Sequence, residues 1–342
     1  MYKVGVSGIN AVDNPGPGVG IAKGLKEGDP EIEVIGLAYD AMDPGIYMRW
    51  LIKKSFIMPY PSEGEAPFIE RLFYIKNSYG LDAVIPALDA ELPIFIKNAE
   101  MLSKNGIKTF LPTPEQFRLR GKDKLPDVAD KIGVKVPVTR IVTSYEELIE
   151  AADEIGFPLM IKGIFYKAYR VYNISEATAK FNAIVNEWGY PVIVQQVVSG
   201  EEMNVVGVGD GEGGHFGILG IKKLWITSLG KIWTGVTVKH SGLLESAQRF
   251  VKEFKWRGAF EFECIVKDEE VYLIEVNPRF PAWVYFSTGV GINLPFRLLK
   301  AALGLDVERD WDYEPGKLYV RYTDDIVTDM SDFQKIVTRG EN

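Results

Sequence analysis

Residues Arg257–Pro281 (RGAFEFECIVKDEEVYLIEVNPRFP) constrain the fold of this chain more than any other stretch. Two apolar runs alternate with period two around the charged turn Lys267–Glu270, a pattern that predicts a β-hairpin. Phe260, Phe262, Cys264 and Val266 fall on one face, matched by Tyr272, Ile274 and Val276 across the turn. Glu261, Glu263, Glu275 and Asn277 fall on the other. A turn centred near Glu269 sets Glu263 opposite Glu275, with Cβ atoms ~5 Å apart, where like charges repel. One reading is an edge hairpin whose acidic face is solvated. The other is a hard divalent cation held by the two carboxylates and the Asn277 carbonyl oxygen. Beyond them Pro278 ends the ladder, and Arg279 offers a planar fork for phosphate or carboxylate.

A chain of 342 residues has room for two or three domains. Its net charge of −8 argues against a nucleic-acid-binding surface. The single cysteine, Cys264, excludes an internal disulfide framework and fits a small core residue in a reducing compartment. Two histidines cannot build a His-rich zinc site. With neither a signal peptide nor an apolar run of membrane-spanning length, a cytoplasmic protein is expected.

Tyr2–Gly8 reads as a strand, followed by a glycine loop (Gly16-Pro-Gly18-Val-Gly20) and a helix over about 19–26, the opening of a doubly wound parallel sheet. The loop fits either a tight turn or a contact to a substrate anion. It lacks the acidic residue of a dinucleotide site. Further strands are expected at Glu33–Leu37, Asp82–Pro86 and Ile107–Leu111. Asp89 and Glu91 follow the second of these, where ligands gather in open α/β sheets; Asp89 also suits a helix N-cap and Glu91 the first helical turn. Ser144–Ile155 is an amphipathic helix with Ser144 as its cap. Lys124 alone reads as a solvated helix charge, and His215 as a solvated turn residue. Lys222, Lys223, Lys239 and His240 are candidate phosphate contacts, and the last dozen residues read as a mobile tail.

The run Glu275-Val-Asn277-Pro-Arg279, with Glu263 twelve positions upstream, resembles the metal-binding hairpin of the ATP-grasp superfamily. Other segments agree. Gly133-Val-Lys-Val-Pro137 resembles the lead-in to the nucleotide-binding half, and Gly156-Phe-Pro158-Leu-Met-Ile-Lys162 the strand whose lysine reaches ATP phosphates. Pro191–Glu202 resembles the hinge that holds adenine and ribose, and Gly289–Pro295 a segment of carbamoyl-phosphate-synthetase-like members. Two departures stand out. Gly163–Arg170 (GIFYKAYR) replaces the glycine-rich lid with an aromatic loop, and Gln196 stands where many members have Glu.

The resemblance implies an α/β fold, α+β in the nucleotide half. It comprises a parallel-sheet pre-ATP-grasp domain (1–113), a small lid subdomain with its lead-in helix (114–198) and an antiparallel C-terminal domain (199–342). It implies Mg²⁺ or Mn²⁺ on Glu263, Glu275 and Asn277. ATP would lie against Lys124, Lys162, Gln196, Val198, Glu202 and Lys222, with Arg279 and Lys162 catalytic. Asp89, Glu91, Glu261, Lys167 and Arg170 are the candidate substrate contacts. The implied activity is that of a carboxylate–amine ligase acting through an acyl phosphate, with ATP, a small carboxylate and an amine as partners and a homodimer allowed. The alternatives are a carbamoyl-phosphate-synthetase-like carboxylate-phosphorylating subunit and a non-catalytic ATP-binding subunit with a degenerate lid.

Overall fold

The computed structural model describes all residues except Asp13, Phe165, Tyr166, Ser228 and Leu229. In chain order, the first stretch forms β1 (Lys3–Ser7), α1 (Gly18–Gly28), β2 (Glu33–Ala38), β3 (Lys54–Ile57), α2 (Glu65–Ser78), β4 (Ala83–Ile85) and α3 (Leu92–Lys104). The middle adds α4 (Pro114–Arg118), α5 (Leu125–Ile132), β5 (Thr139–Val142), α6 (Tyr145–Ile155), β6 (Leu159–Gly163), β7 (Ala168–Val171), α7 (Ile174–Trp188) and β8 (Val192–Gln196). Next come β9 (Glu201–Asp210), β10 (His215–Ile226), β11 (Ile232–Thr237), α8 (Ser241–Phe254), β12 (Arg257–Lys267) and β13 (Glu270–Asn277). The chain closes with α9 (Tyr285–Gly289), α10 (Leu294–Leu303), β14 (Leu318–Val320) and α11 (Met330–Arg339).

These elements form two compact units. Unit 1 comprises Met1–Arg120, Met203–Glu263 and Val276–Asn342; unit 2 comprises Gly121–Glu202 and Cys264–Glu275. Unit 1 opens with a parallel sheet in the order β3-β2-β1-β4. Its strands read as continuous apolar runs because both faces are buried. A second sheet, in the order β13-β12-β9-β10-β11-β14, carries the hairpin, whose tip lies in unit 2. In unit 2 the antiparallel sheet β5-β8-β6-β7 packs its apolar face against Leu148, Ala151 and Ala152 of α6 and Phe181 and Ile184 of α7. Asp268 and Glu269 form the hairpin turn with φ of 48° and 68°, so its two central residues are both left-handed. That is the turn type whose twist matches a tight hairpin.

The glycine loop folds onto its own backbone. A Cβ on Gly16 would lie 2.3 Å from the Gly8 carbonyl oxygen, and one on Gly18 would lie 2.2 Å from that of Ser7. The Gly16 and Gly18 amides donate to the carbonyls of Asn10 and Gly8 at 2.9 and 2.8 Å. Of the two readings of this loop, the geometry carries the tight turn.

Four expectations need correction. Ile107–Leu111 is not a strand; only Lys108 bridges to Ala83. Asp89 does not cap a helix, because α3 starts at Leu92 and Glu91 holds the cap position. His215 is half-buried, its ring edge-on to Trp311 at 5.5 Å, and burial pushes its imidazole below the ordinary range. The last dozen residues are docked rather than mobile. Gly340 accepts from Arg71 and from the Ile57 amide, and the Asn342 side chain accepts from the Ser55 amide at 2.9 Å. Ile336 of α11 is buried in the core as well; a single apolar anchor and long-range hydrogen bonds leave little pattern in the local sequence.

Candidate active site

In unit 1 the hairpin's inner ends bring a connected polar network together. The register that pairs Asn204 of β9 with Ile221 of β10 turns the Asn204 amide toward β12. Its Nδ2 donates to Glu261 Oε1 at 2.8 Å, and the Trp283 indole donates to the same oxygen at 2.8 Å. Asn277 Nδ2 donates to Glu263 Oε1 at 2.9 Å and to Glu261 Oε2 at 3.2 Å. Lys223 Nζ, its side chain 9% exposed, stands 3.0 Å from Glu263 Oε2. Arg279 donates through Nε to Asp89 Oδ2 at 2.9 Å and through a terminal nitrogen to Asn277 Oδ1 at 3.4 Å. Arg120 holds the other Asp89 oxygen at 2.8 Å.

The two neighbouring glutamates are driven apart electrostatically. Burial and the Glu263 charge raise the Glu261 carboxyl above the ordinary range. Burial also acts on Glu263, but the Lys223 charge and its hydrogen bond outweigh it and hold that carboxyl low. Asp89 is half-buried, and although burial acts to raise its carboxyl, Arg279 and Arg120 hold it below the ordinary range. Among the described residues, no group of three His, Cys, Asp or Glu side chains is arranged to hold a metal. The fit to Mg²⁺ rests instead on an all-oxygen set of Glu263, Glu261 and the side-chain amides, which suits a hard cation. Asn204 contributes a fully buried Oδ1 that has no hydrogen-bond partner.

The other expected site residues are dispersed. Glu91, 1% exposed, lies among protein donors: Ser7, Tyr39 and the amides of Ala87 and Leu88. It braces the turn after β4, and its carboxyl is raised by burial. Glu275 falls in unit 2, where its charge acts on the Lys122 ammonium. Lys162 donates to Gln195 Oε1 at 2.6 Å. Gln196 is exposed, and its side chain accepts from the Val138 amide at 3.2 Å. Val198 is half-buried, Glu202 exposed and Lys222 half-buried. Lys124 is exposed beside Asp123 at 3.4 Å. Lys122 is the half-buried lysine of that segment, donating to the Gly163 carbonyl at 3.1 Å. In the lid loop Lys167 pairs with Glu187, and Arg170 lies over the Tyr172 ring at 5.5 Å. Phe165 and Tyr166 of that loop lie outside the described residues. His240 caps α8 by accepting from the Leu243 amide, and Lys239 pairs with Asp312 at 2.6 Å.

Sequence reading did not single out Asn204, Trp283, Arg120, Lys122 or Gln195. Asn204 interrupts a buried apolar strand, a signal that was available. Trp283 and Arg120 carry none, because only the folded chain brings them to the hairpin.

Residues 123–282 match a family model described as an ATP-grasp domain. That stretch, a little under half of the chain, is similar to ATP-grasp domains. The carbamoyl phosphate synthase large chain of Thermotoga neapolitana is 25% identical over 262 residues, which are 69% of this chain and 23% of that protein. The arginine-specific large chain of Bacillus subtilis is 26% identical over 203 residues, 54% of this chain and 19% of its own length. The chain therefore spans about a fifth of the length of the curated relatives it matches. Among solved structures, the biotin carboxylase domain of Hydrogenobacter thermophilus 2-oxoglutarate carboxylase, crystallised with MgADP, ADP and bicarbonate, superposes with a TM-score of 0.70. It is 16% identical, over 93% of this chain and 73% of that one. These likenesses establish an ATP-grasp α/β fold with one parallel and two antiparallel sheets. Among the described residues no helix is long and apolar enough to cross a membrane.

Proposed function

We propose that this chain is an ATP- and magnesium-dependent ligase that activates a small-molecule carboxylate as an acyl phosphate for attack by an amine. The observation that carries the reading is the unit 1 network, in which Arg279 is fixed by Asp89 beside the buried Glu261 and the half-buried Glu263. A carboxylate oxygen attacks the γ-phosphorus of ATP, the bond to the bridging oxygen breaks, and ADP leaves. The amine nitrogen then attacks the acyl carbon, phosphate departs and the amine loses a proton. Phosphoryl transfer needs positioning and charge neutralisation more than covalent help. Glu263, Glu261 and the Asn277 side-chain oxygen are the ligands proposed for Mg²⁺, which when bound would neutralise charge on the phosphate oxygens. Arg279 orients the acid or the transferring group through a fork already held in place by Asp89 and Asn277. Lys162 and Lys122 of unit 2 face the nucleotide phosphates, while Gln196, Val198 and Glu202 form the hinge for adenine and ribose. The division at 113 and 198 into front, lid and C-terminal domains belongs to the same reading.

Similarity to carbamoyl phosphate synthase large chains supports the phosphorylation of a carboxylate, and the MgADP-bound neighbour supports the metal nucleotide. The test is thermal. Mg²⁺-ATP should raise the melting temperature more than ATP with EDTA, and Glu263→Gln should erase most of that difference while leaving the unliganded protein folded. An equal response with and without Mg²⁺ would remove the metal site. With the right acid, hydroxylamine should trap the acyl phosphate as a hydroxamate.

A further inference from the structure

Charge is unevenly matched around Arg279. Asp89 is already bound by Arg279 and Arg120, and Glu263 by Lys223. Two further cations reach the same region without an acidic partner. Lys231 immediately precedes β11; its carbonyl accepts from the Thr227 amide, its amide donates to the Thr227 hydroxyl, and its Nζ donates to the Pro15 carbonyl of the glycine loop at 2.8 Å. Arg321 follows β14 opposite Trp233, with its amide donating to the Trp233 carbonyl at 2.9 Å. Its guanidinium donates to the Ala282 carbonyl at 2.8 Å, three residues beyond Arg279, and its Nε is buried without a hydrogen-bond partner. Among the described residues, no carboxylate lies within ion-pairing distance of Lys231 or Arg321. Lys231 thus adds a cation that feels the charges of Arg279, Arg321, Glu261 and Asp89, and Arg321 adds a second one anchored three residues beyond Arg279. Half-buried charges left unmatched are costly, so a ligand anion that matches them is bound strongly.

Building on the ligase reading above, we propose that the acid this chain activates is a diacid. One carboxylate is phosphorylated beside Arg279, and a second acidic group is held by Lys231 and Arg321. The place of Lys231 separates this second anion from the nucleotide. It is tied to the glycine loop at the carboxyl end of β1, where open α/β sheets take up their ligands, and the proposed phosphate ligands lie on the hairpin. A fixed guanidinium with a free N–H suits a planar carboxylate, and an ammonium at its side adds the second charge. The ammonium also carries the mark of crowding: burial, then the Arg279 and Arg321 charges, push it down to about 8, against weaker support from Glu261 and Asp89.

Calorimetric titration of the full chain tests this, at matched ionic strength and in the presence of MgADP. The probes are the straight-chain diacids from malonate to adipate, the monoacids acetate to hexanoate, and inorganic phosphate. At least one diacid should bind ten-fold or more tightly than the monoacid of equal length. Lys231→Gln and Arg321→Lys should each lower diacid affinity toward the monoacid value, leaving MgADP affinity unchanged. Lys231→Arg, which keeps the charge, should retain the preference and guards against a folding effect. Equal binding of diacids and monoacids, or a preference that survives Lys231→Gln, overturns the proposal. So does phosphate binding that depends on Lys231 when no diacid binds, since the two cations would then serve the phosphoryl group. Failure to bind MgADP would count against the ligase reading and leave the diacid preference standing.

Discussion

The carboxylates at the inner ends of the hairpin in unit 1 and the lysines of unit 2 differ in how their charges are held. Around Glu263 and Arg279 nearly every charged atom already meets another buried or half-buried side chain, so the geometry is set before any ligand arrives. In unit 2, Lys124 and Lys167 sit in exposed pairs with Asp123 and Glu187, and only Lys122 and Lys162 are anchored by half-buried or buried acceptors. A network that fixes its own members acts as a preorganised electrostatic site, whereas an exposed pair contributes little and exchanges partners freely. The chemistry is therefore expected to depend on unit 1 and nucleotide affinity on the anchored lysines.

The sharpest way to break this contrast is Arg279→Ala. It removes the transition-state fork and leaves Asp89 with one partner fewer, so hydroxamate formation should fall by ~10²–10³-fold. Arg279→Lys should fail to restore it, because an ammonium cannot bond Asp89 and Asn277 in one plane. An unchanged rate would mean that the buried network is only structural. Next in size is the pair Lys122→Ala and Lys124→Ala, compared by KM for ATP. Loss of one charge-assisted hydrogen bond is worth ~1.5–3 kcal/mol, so Lys122→Ala should raise KM ~10-fold or more. Lys124→Ala should change it less than ~2-fold, and the reverse order would restore the role that the sequence assigns to Lys124.

How far the site was legible follows from the same contrast. The period-two alternation of β12 makes Glu261 and Glu263 legible, because a strand face is a local property of sequence. Gly156–Lys162 is legible for the same reason, as is the parallel sheet through its buried apolar runs. On β13 the expected face is wrong: Val271 and Leu273 are buried in place of Tyr272 and Ile274, because the turn lies between Asp268 and Glu269 rather than on Glu269, which shifts the register by one. Lys122 and Lys124 are both lysines two positions apart, and nothing local says which one is drawn to the Gly163 carbonyl. Arg120, Lys231 and Arg321 reach Asp89, Pro15 and Ala282 across long stretches of chain, and no short pattern records such contacts. Asp89 reads from the sequence either as a ligand contact or as a helix cap, since an acid before a helix looks the same whether it meets amides or arginines.

Smaller effects refine the comparison. Lys231 has a folded-state pKa of about 8, below its value in the unfolded chain. Between about 8 and the ordinary lysine range the unfolded state binds more protons, so stability should rise with pH across that window. Lys231→Met should flatten the slope, measured as the urea midpoint at intervals from pH 7.5 to 10.5. The smallest change is expected from Lys167→Ala, which removes one exposed pair. Its melting temperature should stay within ~2 °C of the parent, and a larger fall would show that the loop after β6 is a packed element rather than a surface one.

The hairpin turn at Asp268 and Glu269 has a consequence for how the site is supported. Both residues hold left-handed backbone conformations without being glycine, at a cost of roughly 1–2 kcal/mol each. Local preference therefore pulls the tip toward opening, and the flanking strands must hold it shut. The two ends of the hairpin are thus under opposite demands: the tip is the place where the ladder frays first, and the inner end, with Glu261 and Asn277 bonded to each other, is where fraying stops. Motion at the turn is damped before it reaches the carboxylates.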